Sequence, residues 1–128
     1  MLVDGTPAHP IPAAPVAGGA ITNSADAGNV YGNKLTLDGV ASWFLGYVYG
    51  GYTLGAGNAS QNELIMKNDA GVGNSYHPGY AAYGGWTQSG NATNNTITLS
   101  KNSGSSYYGT HLYGGWSNNS VADVKTGN

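Results

Sequence analysis

The chain has 128 residues, a formal net charge of −2 and 8% charged residues, about a third of the charged fraction of an ordinary soluble domain. Four basic residues cannot form the positive face that phosphates require, so a nucleic-acid partner is excluded. The 22 Gly disfavour long helices, whereas ten Tyr and three Trp supply apolar area for a core. The composition predicts an all-β fold without disulfides, thiolate metal ligands or a membrane span.

The first predicted segment is a Pro-rich lead-in or linker over residues 1–20. Four of the five Pro lie between residues 7 and 15, a density that favours extended polyproline II over a position inside a sheet. An irregular strand along the body of the protein is the other interpretation. A repeat β domain is predicted over residues 21–128.

Two markers then recur with nearly the same period. Alternating strands occur at 33–37 (NKLTL), 62–66 (NELIM) and 95–99 (NTITL), and aromatic motifs at 49–52 (YGGY), 83–86 (YGGW) and 113–116 (YGGW). One unit cannot bury its own apolar face, so neighbouring units must stack. The repeat predicts a β-solenoid, a parallel β-helix of about three to four coils. The alternative is an antiparallel hairpin array, like a prism or propeller.

Stacked repeats place like side chains in columns. The aromatic columns predicted for ligand binding or assembly are Tyr49, Tyr83 and Tyr113, and Tyr52, Trp86 and Trp116. The predicted structural ladder is Asn33, Asn62 and Asn95. Corner glycines, where the backbone turns or approaches its neighbour, are Gly50, Gly51, Gly84, Gly85, Gly114 and Gly115. The aromatic columns either stabilise the stack or form a surface stripe that binds sugar rings or another apolar surface.

No catalytic arrangement is predicted from the titratable residues. In the repeat register Glu63 aligns with Lys34 and Thr96, and Asp38 aligns with Lys67 and Ser100, so the acids form no column for paired-carboxylate chemistry. The three histidines lack the spacing of a zinc site; they are His9, His77 and His111. The chain is therefore expected to be no enzyme and to use no cofactor and no metal.

The repeats resemble the Gly/Asn-rich passenger repeats of bacterial autotransporter and haemagglutinin-like surface adhesins. The resemblance covers about residues 28–122 and rests on VYGGYTLGAGNASQNELIM, AYGGWTQSGNATNNTITL and LYGGWSNNSVA. It implies an exported parallel β-helix at the bacterial outer surface or outside the cell, with no catalytic residues in its repeats. The chain carries neither a signal peptide nor an outer-membrane barrel, so we expect part of such a protein or a small relative.

The expected function is a non-catalytic structural or adhesive segment. The pattern after the third aromatic motif calls for another apolar strand that residues 117–128 do not provide, and an uncapped edge invites association. The expected partner is the chain itself or flanking coils of a longer chain, joined end to end into fibres. The alternative is a glycan-binding module in which Tyr52, Trp86 and Trp116 recognise host or microbial surface glycans.

Overall fold

The computed structural model describes residues 16–39, 43–44, 46–72, 81–100 and 111–119. These residues form strands and no helix, which confirms the all-β prediction for this part of the chain. None of it is a helix that could cross a membrane. The strands are β1 (Val16–Ile21), β2 (Val30–Tyr31), β3 (Lys34–Asp38), β4 (Trp43–Phe44), β5 (Val48–Thr53), β6 (Ala59–Ser60), β7 (Glu63–Lys67), β8 (Gly71–Val72), β9 (Ala81–Thr87), β10 (Ala92–Thr93), β11 (Thr96–Leu99) and β12 (His111–Ser117).

All pairings among these strands are parallel. The sheets run in the orders β1-β5-β9-β12, β2-β6-β10 and β3-β7-β11, with a short fourth sheet of β4 and β8. Strands that neighbour each other in a sheet are therefore distant in sequence, as parallel pairing requires. The antiparallel hairpin array is wrong for the residues that the structure describes.

The first three stretches of chain each contribute one strand to each of the three larger sheets, and a fourth stretch adds a strand to the first sheet. We call these stretches rows: the first contains β1–β4, the second β5–β8, the third β9–β11, and the fourth β12. Lys34 pairs with Glu63, and Glu63 with Thr96. The register predicted from the two sequence markers is confirmed by these pairs.

The first row begins earlier than the sequence predicted. β1 (Val16–Ile21) crosses the predicted boundary between the lead-in and the repeat domain and pairs with β5 over its whole length. Its sequence VAGGAI keeps the Gly pair of VYGGYT but has Ala17 and Ala20 where the later rows carry aromatic rings. Because of these two alanines, the first copy of the motif was not recognised in the sequence. Residues 1–15, which include most of the Pro-rich segment, lie outside the described residues.

The core is built from inward columns that cross the rows. Leu35, Leu37, Leu64 and Met66 are fully buried, as the alternation of the strands predicted. The same columns end in the third row at Ile97, which is partly buried, and at Leu99, which is 39% exposed. Burial thus falls off along the stack, from complete in the first two rows to partial at the last.

The turn before each row's third strand uses one residue with a left-handed backbone. Gly32, Gln61 and Asn94 have φ values of 65°, 53° and 54° and occupy equivalent positions. Each comes directly before the Asn of the predicted ladder. One residue per row therefore redirects the chain into β3, β7 or β11, and only the first row uses the residue type that adopts this conformation without steric cost.

Candidate functional site

The predicted corner glycines lie inside strands and not at turns between them. Gly50 and Gly51 occupy the middle of β5, and equivalent pairs lie in β9 and β12. The predicted close approach is present: a Cβ on Gly50 would lie 2.7 Å from the carbonyl carbon of Glu63, and one on Gly51 would lie 2.7 Å from Nδ2 of Asn62. Gly50 and Gly51 thus approach Glu63 and Asn62 at distances that leave no room for a side chain.

The glycine pair changes the alternation of the strand. Val48 and Thr53 are both fully buried although they are five residues apart, a spacing that places residues on opposite faces of a regular strand. Because Gly50 and Gly51 both face inward, Tyr49 and Tyr52 lie together on the other face, with ring centroids 4.7 Å apart. The Gly-Gly dipeptide therefore creates the aromatic face of the protein.

The first aromatic column is a continuous stack of rings. Tyr49 and Tyr83 are 5.0 Å apart with ring planes inclined by 12°, and Tyr83 and Tyr113 are 5.2 Å apart at 13°. In the second column Tyr52 and Trp86 stack at 4.9 Å and 21°, and Trp116 is in register with Trp86. Stacked rings cover each other's faces, so the column presents mainly ring edges to solvent.

The two columns also contact each other and the residues beside them. Tyr113 meets Trp116 at 4.7 Å in an edge arrangement, and Tyr49 meets Trp86 at 6.4 Å. His111 stacks on Tyr113 at 5.8 Å, so this histidine belongs to the aromatic face. His9 and His77 lie outside the described residues. The rings therefore form one cluster in which each ring contacts its neighbours, and they are not isolated from one another.

Burial within the cluster raises the pKa of its central phenols. Desolvation raises the pKa of Tyr83 to about 12, with the neighbouring phenols Tyr113 and Tyr47 adding to the effect. Desolvation also raises the pKa of Tyr49, again with contributions from nearby tyrosines, and that of Tyr52. The common cause is the withdrawal of these three rings from water, which disfavours the charged phenolate.

The predicted Asn ladder connects three rows by side-chain amides. Asn62 Oδ1 accepts hydrogen bonds from the backbone N–H and from Nδ2 of Asn33, both at 3.0 Å. Asn95 Oδ1 accepts the equivalent pair from Asn62 at 3.0 and 2.9 Å. Each carboxamide also donates to a backbone carbonyl of the row before it, Asn62 to Val30 and Asn95 to Ala59. Asn62 and Asn95 are buried, so the ladder is an internal structural element.

The ladder and the glycine pairs are two parts of one contact. A Cβ on Gly19, Gly51 or Gly85 would lie 2.7 Å from Nδ2 of Asn33, Asn62 or Asn95, respectively. The second glycine of each pair therefore provides the space that the Asn carboxamide fills. A side chain at the glycine would occupy the space of the carboxamide, so the buried Asn requires the glycine beside it.

A third column was not predicted, although its hydroxyl residues were visible in the sequence. Thr53 and Thr87 are fully buried, and Ser117 is 4% exposed. Thr87 Oγ1 donates to the carbonyl of Gly57 at 2.7 Å and accepts from the N–H of Gly90, and Ser117 Oγ donates to the carbonyl of Gly90 at 2.7 Å. Thr87 and Ser117 thus each close a turn in their own row and bond the row before it, and Thr53 closes the equivalent turn by accepting from the N–H of Gly55.

A second set of Asn residues forms an exposed ladder. Asn29 Oδ1 accepts from the N–H of Asn58, and Asn58 Oδ1 accepts from the N–H of Asn91, both at 2.8 Å. The recurring Gly-Asn dipeptide was the sequence signal for this ladder, but composition alone could not separate it from ordinary turn residues.

Four charged residues lie on β3 and β7 and pair across rows. Lys34 Nζ is 2.9 Å from Glu63, and Lys67 Nζ is 3.1 Å from Asp38, as the predicted alignment requires. Hydrogen bonding from Asn68 and the ion pair with Lys67 lower the pKa of Asp38. Within the described residues no three His, Asp or Glu side chains meet in a group that could hold a metal ion.

The chain was compared with known protein families, curated proteins and solved structures. No protein-family model, curated protein or solved structure matches the chain.

Proposed function

We propose that the chain is a non-catalytic β-solenoid segment whose function is structural: a stack of coils that forms part of an exported bacterial surface protein. The observation that carries this proposal is the recurrence of whole contacts in successive rows. The amide ladder, the ring stack and the glycine contact each repeat with nearly unchanged distances. Such repetition is the physical property of a solenoid, in which each coil is stabilised by its neighbours.

The surface location rests on the resemblance of the repeats to those of bacterial adhesins. The low charge and the polar amide edges of the rows are consistent with a spacer or adhesive surface. In this proposal the chain positions other parts of a protein or contacts a surface, and it performs no reaction.

Removal of one complete coil tests the proposal. Deletion of residues 54–87 joins Thr53 to Gln88, which replaces the second-row loop by its third-row equivalent and leaves β5 beside β12. A solenoid shortened by one coil should keep its β-sheet circular dichroism and a cooperative unfolding transition.

The matched control is a deletion that is out of phase with the repeat. Removal of residues 54–70 joins Thr53 to Gly71 and leaves the second row without β6 and β7. We expect this shorter deletion to unfold the chain. If the two deletions were equally disruptive, or if the complete-coil deletion alone unfolded, the solenoid proposal would be contradicted.

The glycan-binding alternative receives less support from the geometry. A sugar ring binds an aromatic side chain through its face, whereas Tyr83 has a stacked ring on each face and Trp86 has a stacked ring, Tyr52, on one face. The aromatic columns are better suited to stabilising the stack. The alternative is tested by the Trp86 and Trp116 variants discussed below.

A further inference from the structure

We propose that the last-row end of the stack binds a second copy of this chain, whose strand β1 (Val16–Ile21) adds in parallel beside β12 (His111–Ser117). This inference rests on the proposed solenoid, because it uses the contact between neighbouring coils as the contact between molecules.

Among the described residues, none covers the core beyond the last row. Three inward columns are fully buried in the second row at Val48, Leu64 and Met66. In the last rows the same columns end at Leu112, which is 41% exposed, at Ile97, which is partly buried, and at Leu99, which is 39% exposed. These three side chains, with Thr96 and Gly114, line a depression of about 300 Å³. A strand added beside β12 would cover Leu112 as each earlier strand of this sheet covers its neighbour.

The strand edges needed for such an addition lie at the two ends of one sheet. Among the described strands, β1 and β12 are the outer members of the order β1-β5-β9-β12. Every residue of β1 is exposed or partly exposed, whereas all but one residue of β5 are buried. A strand with an accessible edge is a template for pairing with another strand.

The register follows from the three contacts that the sheet already contains. In each, the second glycine of one pair lies opposite the second glycine of the next: Gly19 with Gly51, Gly51 with Gly85, and Gly85 with Gly115. The same register between molecules would place Gly19 of one copy opposite Gly115 of another. Val16 would then cover Leu112.

The small residues of β1 fit the aromatic end of the stack. Ala17 and Ala20 already lie opposite Tyr49 and Tyr52 within the chain, so an Ala beside a ring is an accepted contact of this fold. In the proposed complex the same two alanines lie opposite Tyr113 and Trp116. Neither β11 nor β12 contains Asp, Glu, Lys or Arg, so no charge has to be buried.

The Asn ladder runs in one direction along the stack. Asn33 donates to Oδ1 of Asn62, and Asn62 donates to Oδ1 of Asn95. Parallel addition of β1 beside β12 gives the added copy the same direction, with its Asn33 in the row beyond that of β12. The contact is therefore head to tail, which is a heterologous contact that extends and does not close.

Substitutions at the last-row end test the proposal on the full chain. Leu99→Lys with Leu112→Lys puts two charges on the exposed end of the core. The matched control is Thr98→Lys with Ser100→Lys, which adds the same charge at exposed positions of the same row, with Thr98 facing Glu63 on the outer side. In sedimentation velocity we expect the mass of the unaltered chain and the control to rise with concentration, while the end variant stays a monomer.

Mixing tests the polarity. The end variant keeps β1, so it should add once to the last-row end of an unaltered copy and then stop growth. A mixture should therefore contain shorter assemblies than the unaltered chain alone at the same concentration. If the copies met last row to last row, the end variant would join no assembly and the mixture would retain the original lengths, which would overturn the proposed polarity.

A peptide with the sequence of β1 provides a test that needs no altered protein. Excess peptide should reduce the assembled mass, and a peptide of scrambled sequence should not. Circular dichroism of every sample separates the two proposals. A monomeric chain with β-sheet structure overturns this inference and leaves the solenoid proposal standing, whereas loss of β-sheet structure in the unaltered chain contradicts both. Equal loss of assembly in the control variant also overturns the inference.

Discussion

One oxygen atom of Asn62 accepts both the backbone N–H and the side-chain Nδ2 of Asn33, each at 3.0 Å. The carboxamide of Asn62 simultaneously donates to the next Asn and to a carbonyl of the previous row. A buried group with this many partners determines how two rows fit together, because its loss leaves several polar atoms without partners.

Replacement of the central ladder residue should be among the most destabilising substitutions in the chain. Asn62→Ala removes the acceptor for Asn33 and the donor for Val30, and we expect the free energy of unfolding to fall by about 3 kcal/mol or more. Asn58→Ala is the matched control in the exposed ladder, for which about 1 kcal/mol or less is expected. Urea unfolding of both variants measures the difference; equal losses would mean that the buried ladder has no special role.

The contact between Gly51 and Asn62 predicts strong coupling between two substitutions. Gly51→Ala places a methyl group against the carboxamide, and overpacking of this kind costs about 1–3 kcal/mol. Added to Asn62→Ala, the same methyl group meets a smaller side chain and should cost much less. A double-mutant cycle from chemical denaturation gives the coupling energy. Strict additivity of the two losses would show that the methyl group is accommodated in another way.

A glycine at the turn before β7 should stabilise the protein. Gln61 adopts φ 53°, a conformation that costs a residue with a side chain about 1–2 kcal/mol, and the first row has Gly32 at the equivalent position. Gln61→Gly removes this strain but loses an exposed hydrogen bond from Tyr31 and increases the freedom of the unfolded chain. We expect a net gain of up to about 1 kcal/mol.

The comparison for this turn is Asn94→Gly. Asn tolerates the left-handed region better than Gln, so the gain at Asn94 should be smaller than the gain at Gln61. Thermal unfolding of the two variants side by side measures both. A loss of stability at Gln61 would show that the Tyr31 contact outweighs the backbone strain.

Stability should decrease in alkaline solution as the aromatic column titrates. The pKa of Tyr83 is raised to about 12 from an ordinary value of about 10, so the folded chain retains a proton that the unfolded chain releases. The contribution is fully present below about pH 10 and is lost as the pH rises towards 12. Urea unfolding across this window should show the decline, and Tyr83→Phe should make it shallower. A pH-independent free energy of unfolding would contradict the burial of these phenols.

The two Trp variants distinguish a structural column from a sugar-binding face. Trp86 is stacked on Tyr52 and lies near Tyr49, so Trp86→Ala should lower the free energy of unfolding by about 2 kcal/mol, and Trp116→Ala, in the last row, by less. On a glycan array we expect no specific binding by the unaltered chain. Specific binding that both variants lose while they remain folded would support the glycan-binding alternative instead.

The repeat made the contacts between rows predictable. Because the markers at Asn33, Asn62 and Asn95 recur with the same neighbours, the register, the ring column and the amide ladder could be written from the sequence. Leucines at alternate positions of β3 and β7 likewise predicted the buried columns. These features depend only on the spacing of residues along the chain, and that spacing recurs in each copy of the repeat.

The features that were missed depend on backbone geometry within one repeat. Gly50 and Gly51 could form a corner or lie in the middle of a strand. The distance between β5 and β7 decides between the two, and that distance cannot be read from the sequence. The first row was hidden because Ala17 and Ala20 replace rings without changing the strand. The hydroxyl column was missed because Thr53, Thr87 and Ser117 are as common on surfaces as in buried turns.

The parallel sheet orders also determine how the protein would respond to force. Backbone hydrogen bonds between rows run along the direction in which the rows are stacked, so tension between the first and last rows loads them one row at a time. The ladder repeats at 29 and 33 residues, and each row released would add about 100 Å of extended chain. A stalk built in this way would unfold one row at a time. It would therefore extend in steps and dissipate mechanical work before the last contact between rows is lost.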